Sequence, residues 1–62
     1  MSVNRRDLIR YFEENGFRLL REGGNHSIYT NEVKVIPIKR HKRLDRITAY
    51  ELCKQAGLPP RF

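Results

Sequence analysis

The chain has 62 residues, which is one domain's worth, residues 1–62, with a single cysteine, Cys53, that has no partner for a disulfide. Thirteen Lys and Arg against seven Asp and Glu give a formal charge of +6, which points to a polyanion or an acidic protein as partner. No apolar run approaches the roughly 20 residues a membrane-spanning helix needs, and one cysteine with two histidines has no spacing of a structural zinc site. Asn4 is a good N-cap, and Leu8, Ile9 and Phe12 follow at helical spacing until Gly16, which predicts a first helix. From Phe17 to Arg21, Phe17, Leu19 and Arg21 share one face and Arg18 and Leu20 the other, a strand that ends in the turn signal Gly23-Gly24-Asn25. His26 to Thr30 is a second strand, rich in strand formers, and Asn31-Glu32 is a short turn into a third, Val33-Lys34-Val35-Ile36, whose pairing Pro37 limits. Lys39-Arg40-His41-Lys42-Arg43 reads as a cationic loop. After it, Asp45 caps a second helix with Ala49, Leu52, Cys53 and Ala56 on one face, closed by Gly57, Pro59 and Pro60.

The order is α-β-β-β-α, an α+β fold in which a three-stranded antiparallel sheet carries two helices on one face, the order of a double-stranded-RNA-binding domain. Two short helices cover one face of such a sheet, so the other meets solvent or a partner. The opening Met1-Ser2-Val3-Asn4-Arg5-Arg6 leads into an amphipathic segment, unlike a signal peptide, so a cytoplasmic protein is expected. Stability is expected to be thin, because a core of this size rarely supplies more than about 3–5 kcal/mol without a staple or partner.

Three features bear on chemistry. Gly23-Gly24-Asn25-His26 sets a histidine beside flexible backbone at the mouth of a strand. Histidine ordinarily titrates near about 6.5 and so exchanges protons at cellular pH, as cleavage of RNA through its own 2′-hydroxyl requires. The plain alternative is a strand histidine that only hydrogen-bonds. Lys39, Arg40, Lys42 and Arg43 can bind phosphates by charge, or can simply be a solvated loop, and Arg5, Arg6, Arg18 and Arg21 spread the field further, favouring backbone attraction over base readout. Tyr29 alternates with His26 along its strand, so either Tyr29 packs in the core and His26 faces out, or Ile28 packs inward beside His26.

Over nearly its whole length the sequence resembles the HicA (YcfA-like) toxin family. Gly23-Gly24-Asn25-His26 is similar to the family's Gly-Ser-x-His, Val35-Ile36-Pro37 matches its apolar strand ending in proline, and Leu52-Cys53-Lys54-Gln55-Ala56-Gly57-Leu58 is close to its helix ending in Leu-Lys-Gln-Ala-Gly-Leu. Gly24 stands where the family usually has serine, and the family's frequent histidine after the proline is represented by His41 at an offset spacing. The resemblance implies a double-stranded-RNA-binding-like fold, an mRNA endoribonuclease needing neither metal nor small-molecule cofactor, and neutralisation by a HicB-type antitoxin. It also implies that His26 is catalytic; beside it, the flexible backbone of Gly23, Gly24 and Asn25 and the charges of Lys39, Arg40, Lys42 and Arg43 are read as the RNA-binding residues. Two other readings of the residues stand beside it: a non-catalytic RNA-binding module of the same fold, and a subunit whose charge serves to bind an acidic protein.

Overall fold

A computed structural model describes residues 2–62; Met1 lies outside the described residues. The first helix, α1, spans Arg5–Glu14 and presents Leu8, Tyr11 and Phe12 to the interior, while Gly16 at φ 88° reverses the chain behind it. Strands β2 (Arg18–Gly23), β3 (His26–Thr30) and β4 (Val35–Lys39) form an antiparallel sheet in the order β2-β3-β4, and α2 (Arg46–Gln55) closes the fold with Ala49, Leu52 and Cys53 buried. The α-β-β-β-α order expected of the sequence is therefore the order found.

The register decides which side chains are covered. Ser27 lies opposite Ile38 and Tyr29 opposite Ile36, and all four are buried in or beside the cluster that includes Leu8, Phe12, Phe17 and Cys53. The alternate positions, His26 opposite Lys39, Ile28 opposite Pro37 and Thr30 opposite Val35, belong to the other face. Tyr29 is thus the core residue, and His26 shares the outer face with Ile28. Burial pushes the Tyr29 hydroxyl up from its ordinary value, with Arg5 opposing the shift through its charge.

Six details depart from the sequence reading. Ser2–Asn4 (β1) and Arg43–Asp45 (β5) pair antiparallel as a separate two-stranded ladder, with Val3 and Leu44 opposite each other and buried. The cationic loop is accordingly shorter than Lys39–Arg43, because Lys39 ends β4 and Arg43 begins β5. The same ladder explains why neither Asn4 nor Asp45 caps its helix through a side chain: both are extended ladder residues, and the first helical N–H, that of Arg5, donates to the Lys42 carbonyl at 3.0 Å. Pro37 does not end the pairing, which continues to Lys39, since β4 is an edge strand and tolerates a missing donor.

The remaining two differences concern β2 and the turn after β3. A register shift between Leu19 and Arg21 breaks the alternation along β2 and leaves both Leu19 and Leu20 exposed. The turn runs from Asn31 to Lys34 rather than over two residues, because Asn31 Oδ1 accepts from the N–H groups of Val33 and Lys34 at 3.0 and 2.7 Å and Glu32 takes φ 77°.

Phe12 is fully buried and stacks at a tilt on Phe17, centroid to centroid 4.9 Å. Truncating such a ring typically costs about 3–5 kcal/mol, as much as a core of this size supplies. Phe12→Ala is therefore expected to leave the isolated protein largely unfolded at 25 °C, read as loss of the cooperative thermal transition in far-ultraviolet circular dichroism; a transition at the wild-type temperature would contradict this account of the core.

Candidate active site and nucleic-acid interface

Gly24 and Asn25 form the two-residue loop between Gly23 and His26, the last and first paired residues of β2 and β3. Gly24 takes φ 41°, the positive value that a tight hairpin asks of its first loop residue and that glycine adopts without the penalty of a Cβ. The loop carbonyl of Asn25 accepts the N–H of Arg40 at 3.2 Å, which extends the β3–β4 pairing one step beyond Lys39. A cleft of about 440 Å³ opens at this end of the sheet, lined by Gly24, Asn25, His26, Lys39, Arg40 and His41. His26 is half-buried there, with Lys39 directly opposite it in the ladder.

A chain of hydrogen bonds braces this cleft from the inner face. Arg5, at the start of α1, donates through Nε to the Lys39 carbonyl at 2.8 Å and through Nη2 to the Ser27 hydroxyl at 2.6 Å. Ser27, only 1% exposed, donates its hydroxyl hydrogen bond to Glu22 Oε1 at 2.7 Å, and the same carboxylate oxygen holds Arg40 Nε at 3.0 Å. Every member of the chain is satisfied, which is the condition for a buried hydroxyl to be tolerated. The Ser27 hydrogen bond is the main cause of a Glu22 carboxyl held below the ordinary carboxylate range; partial desolvation works against it, and the charges of Arg40 and Arg5 add to it.

Of the residues singled out in the sequence, Gly24, Asn25, His26, Lys39 and Arg40 meet at this cleft, and Gly23 ends the strand beside it. Lys42 and Arg43 do not. Lys42 lines a neighbouring cleft of about 700 Å³ at the start of α1, with Arg5, Arg6, Arg10 and again Arg40, while Arg43 pairs with Asn4 in the small ladder. Their separation follows from the end of β4, beyond which the chain turns toward α1 instead of continuing along the hairpin. Sequence reasoning took Arg5 only as part of a general field and passed over Ser27 and Glu22. The signal for Ser27 was a polar residue on the same face of its strand as the core tyrosine. His41 was noted without a role, and it lines the same cleft as His26.

The family model described as HicA toxin of bacterial toxin-antitoxin matches residues 5–58. The chain belongs to the HicA toxin family. It is thus the toxin component of a toxin–antitoxin system, with an antitoxin as its partner. No curated protein and no solved structure matches the chain. Within this HicA toxin, a Cβ at Gly24 would meet nothing within 4 Å, so the serine of the family pattern would have room, and the backbone φ is what favours glycine here. Cys53 is buried on α2, where desolvation raises its thiol above the ordinary value, and it serves the toxin as a packing residue. No helix among the described residues is long and apolar enough to cross a membrane.

The depressed Glu22 carboxyl predicts acid sensitivity with a definite sign. Its contribution to stability is complete above the ordinary carboxylate range and is lost as the pH falls through the lower value held in the folded chain. Glu22→Gln is expected to narrow the drop in melting temperature between pH 6 and pH 3 relative to wild type. An equal drop in both proteins would contradict the bracing role given to this carboxylate.

Proposed function

We propose that this toxin is an mRNA endoribonuclease that uses His26 to move a proton during cleavage and is neutralised by a HicB-type antitoxin. The observation that carries the reading is the meeting of His26 with Lys39 and Arg40 at one open cleft, in a chain of the HicA toxin family. Phosphate-backbone binding comes from the cations, which attract any sequence and lose affinity as salt rises. Gly23, Gly24 and Asn25 let RNA come close to the strand end, Lys39 and Arg40 stabilise charge developing on the phosphate, and Lys42 and Arg43 extend the positive field beyond the cleft.

In this reaction the RNA's own 2′-oxygen forms a bond to phosphorus while the bond from phosphorus to the 5′-oxygen breaks. The 2′-hydroxyl loses its proton and the departing oxygen gains one, leaving a 2′,3′-cyclic phosphate and a 5′-hydroxyl. The chemistry calls on no metal and no small-molecule cofactor. The outer sheet face beside His26 bears Ile28, Val35 and Pro37, with Arg21 opposite Ile28 and Lys39 opposite His26, a surface an antitoxin can cover together with the histidine. Nothing in this scheme needs a membrane, and the reading places the toxin in the cytoplasm with its mRNA substrate.

His26→Ala is expected to lower RNA cleavage by about 10²–10⁴-fold, the usual contribution of one acid-base group. Its thermal transition and its salt-dependent RNA binding should stay near those of wild type, because His26 is not in the core. A substituted protein that cleaves at the wild-type rate would overturn the assignment. Wild-type toxin, freed of antitoxin, that binds RNA without cutting it would identify a non-catalytic RNA-binding module instead.

A further inference from the structure

Cleavage through the 2′-hydroxyl moves two protons at two different oxygens, one on the attacking side of the phosphorus and one on the leaving side. One imidazole cannot serve both sides in a single in-line displacement. From the cleft geometry we infer that His41 is the second acid-base catalytic group of this toxin, an inference that rests on the ribonuclease reading of His26.

The two histidines reach the cleft by separate routes. His26 stands at the first position of β3, and His41 follows the last residue of β4 by two. Because His26 lies opposite Lys39 and the Asn25 carbonyl holds the Arg40 N–H, His41 is delivered to the open end of the same hairpin, where it lines the cleft with His26. Two anchors fix the segment on which it rides: Arg5 Nε on the Lys39 carbonyl before it and the Arg5 N–H on the Lys42 carbonyl after it. A residue in a merely solvated loop would not be tied to the helix start on both sides.

The charges facing the pair suit a phosphodiester. Lys39 and Arg40 line the cleft together with the two histidines, Lys42 follows His41, and Glu22 holds Arg40 by its Nε, which fixes the direction of that guanidinium. A phosphate seated against Lys39 and Arg40 would share the cleft with His26, from β3, and His41, from the segment after β4. One imidazole takes the proton of the 2′-hydroxyl as the 2′-oxygen attacks. The other, protonated, gives its proton to the 5′-oxygen as that bond breaks. The pair ends with its protonation exchanged and returns to its starting form through solvent, so no oxidant, reductant or metal enters the step.

The test uses purified toxin and two short RNA substrates, one ordinary and one with a bridging 5′-sulfur at the scissile position, whose thiolate departs without being protonated. His41→Ala and His41→Gln are each expected to reduce cleavage of the ordinary substrate by about 10²–10⁴-fold, with thermal transitions and RNA affinity near wild type because His41 is exposed. On the 5′-sulfur substrate one of the two variants, His26→Ala or His41→Ala, should recover most of its lost rate and the other should not, which also names the acid. Cleavage of the ordinary substrate by His41→Ala within a few-fold of wild type would overturn the inference while leaving His26 untouched, and so would recovery by both variants or by neither. Wild-type toxin that cleaves neither substrate would instead overturn the ribonuclease reading on which the inference stands, and the inference with it.

Discussion

The guanidinium of Arg5 is the contact on which the arrangement of this toxin turns. It sits where α1 begins and reaches across to both strands of the β3–β4 hairpin, donating to the Lys39 carbonyl of β4 and to Ser27 of β3. Hydrogen bonds from a charged donor contribute about 1.5–3 kcal/mol, a large share of the roughly 3–5 kcal/mol that a core of this size supplies. The same residue fixes the Arg40–Lys42 segment through its backbone N–H. Ser27 and Glu22 then relay the contact to Arg40, so a helix start, two strands and a cleft cation are held by one connected set of charged and polar groups.

That connection explains why the polar chemistry collects at one end of the sheet. The inner face is occupied by Tyr29, Ile36 and Ile38 packed on the helices, and a charged group there would be desolvated without compensation. At the strand ends, Ser27 is the inward residue of β3 nearest the Gly24–Asn25 turn, and it is satisfied from both sides. Beyond it the chain is free to present His26, Lys39 and Arg40 to solvent without disturbing the core. The outer face, left uncovered by two ten-residue helices, is continuous with the cleft through Ile28 and Pro37. On the proposed function, the antitoxin and the RNA compete for adjoining parts of a single surface.

Most of the fold was legible in the residue pattern because its signals are periodic. The helical spacing of Leu8 and Phe12, and of Ala49, Leu52, Cys53 and Ala56, marked the buried faces found in the structure. Alternation along His26–Thr30 narrowed Tyr29 to two options, and only the pairing with Ile36 chose between them. The β1–β5 ladder was invisible because its strands are three residues each, too short for a period of two to register, and because their pairing joins segments far apart in the sequence. The bulge at Leu20 hid for a related reason: one extra residue inverts the alternation on which the strand was read.

The site was legible where residues are adjacent in sequence and illegible where they are adjacent only in space. Gly23 to His26 is one contiguous motif, whereas the Arg5–Ser27–Glu22–Arg40 chain joins four separate segments. Contiguity in sequence is not contiguity in space, since Lys42 and Arg43 look equivalent to Lys39 and Arg40 but leave the hairpin with the chain. The measurement that tests the central claim most directly is the chemistry of the RNA ends made by purified, antitoxin-free toxin with a chelator present. Cleavage by imidazole through the 2′-hydroxyl predicts 2′,3′-cyclic phosphate and 5′-hydroxyl termini, while 3′-hydroxyl and 5′-phosphate termini would contradict it.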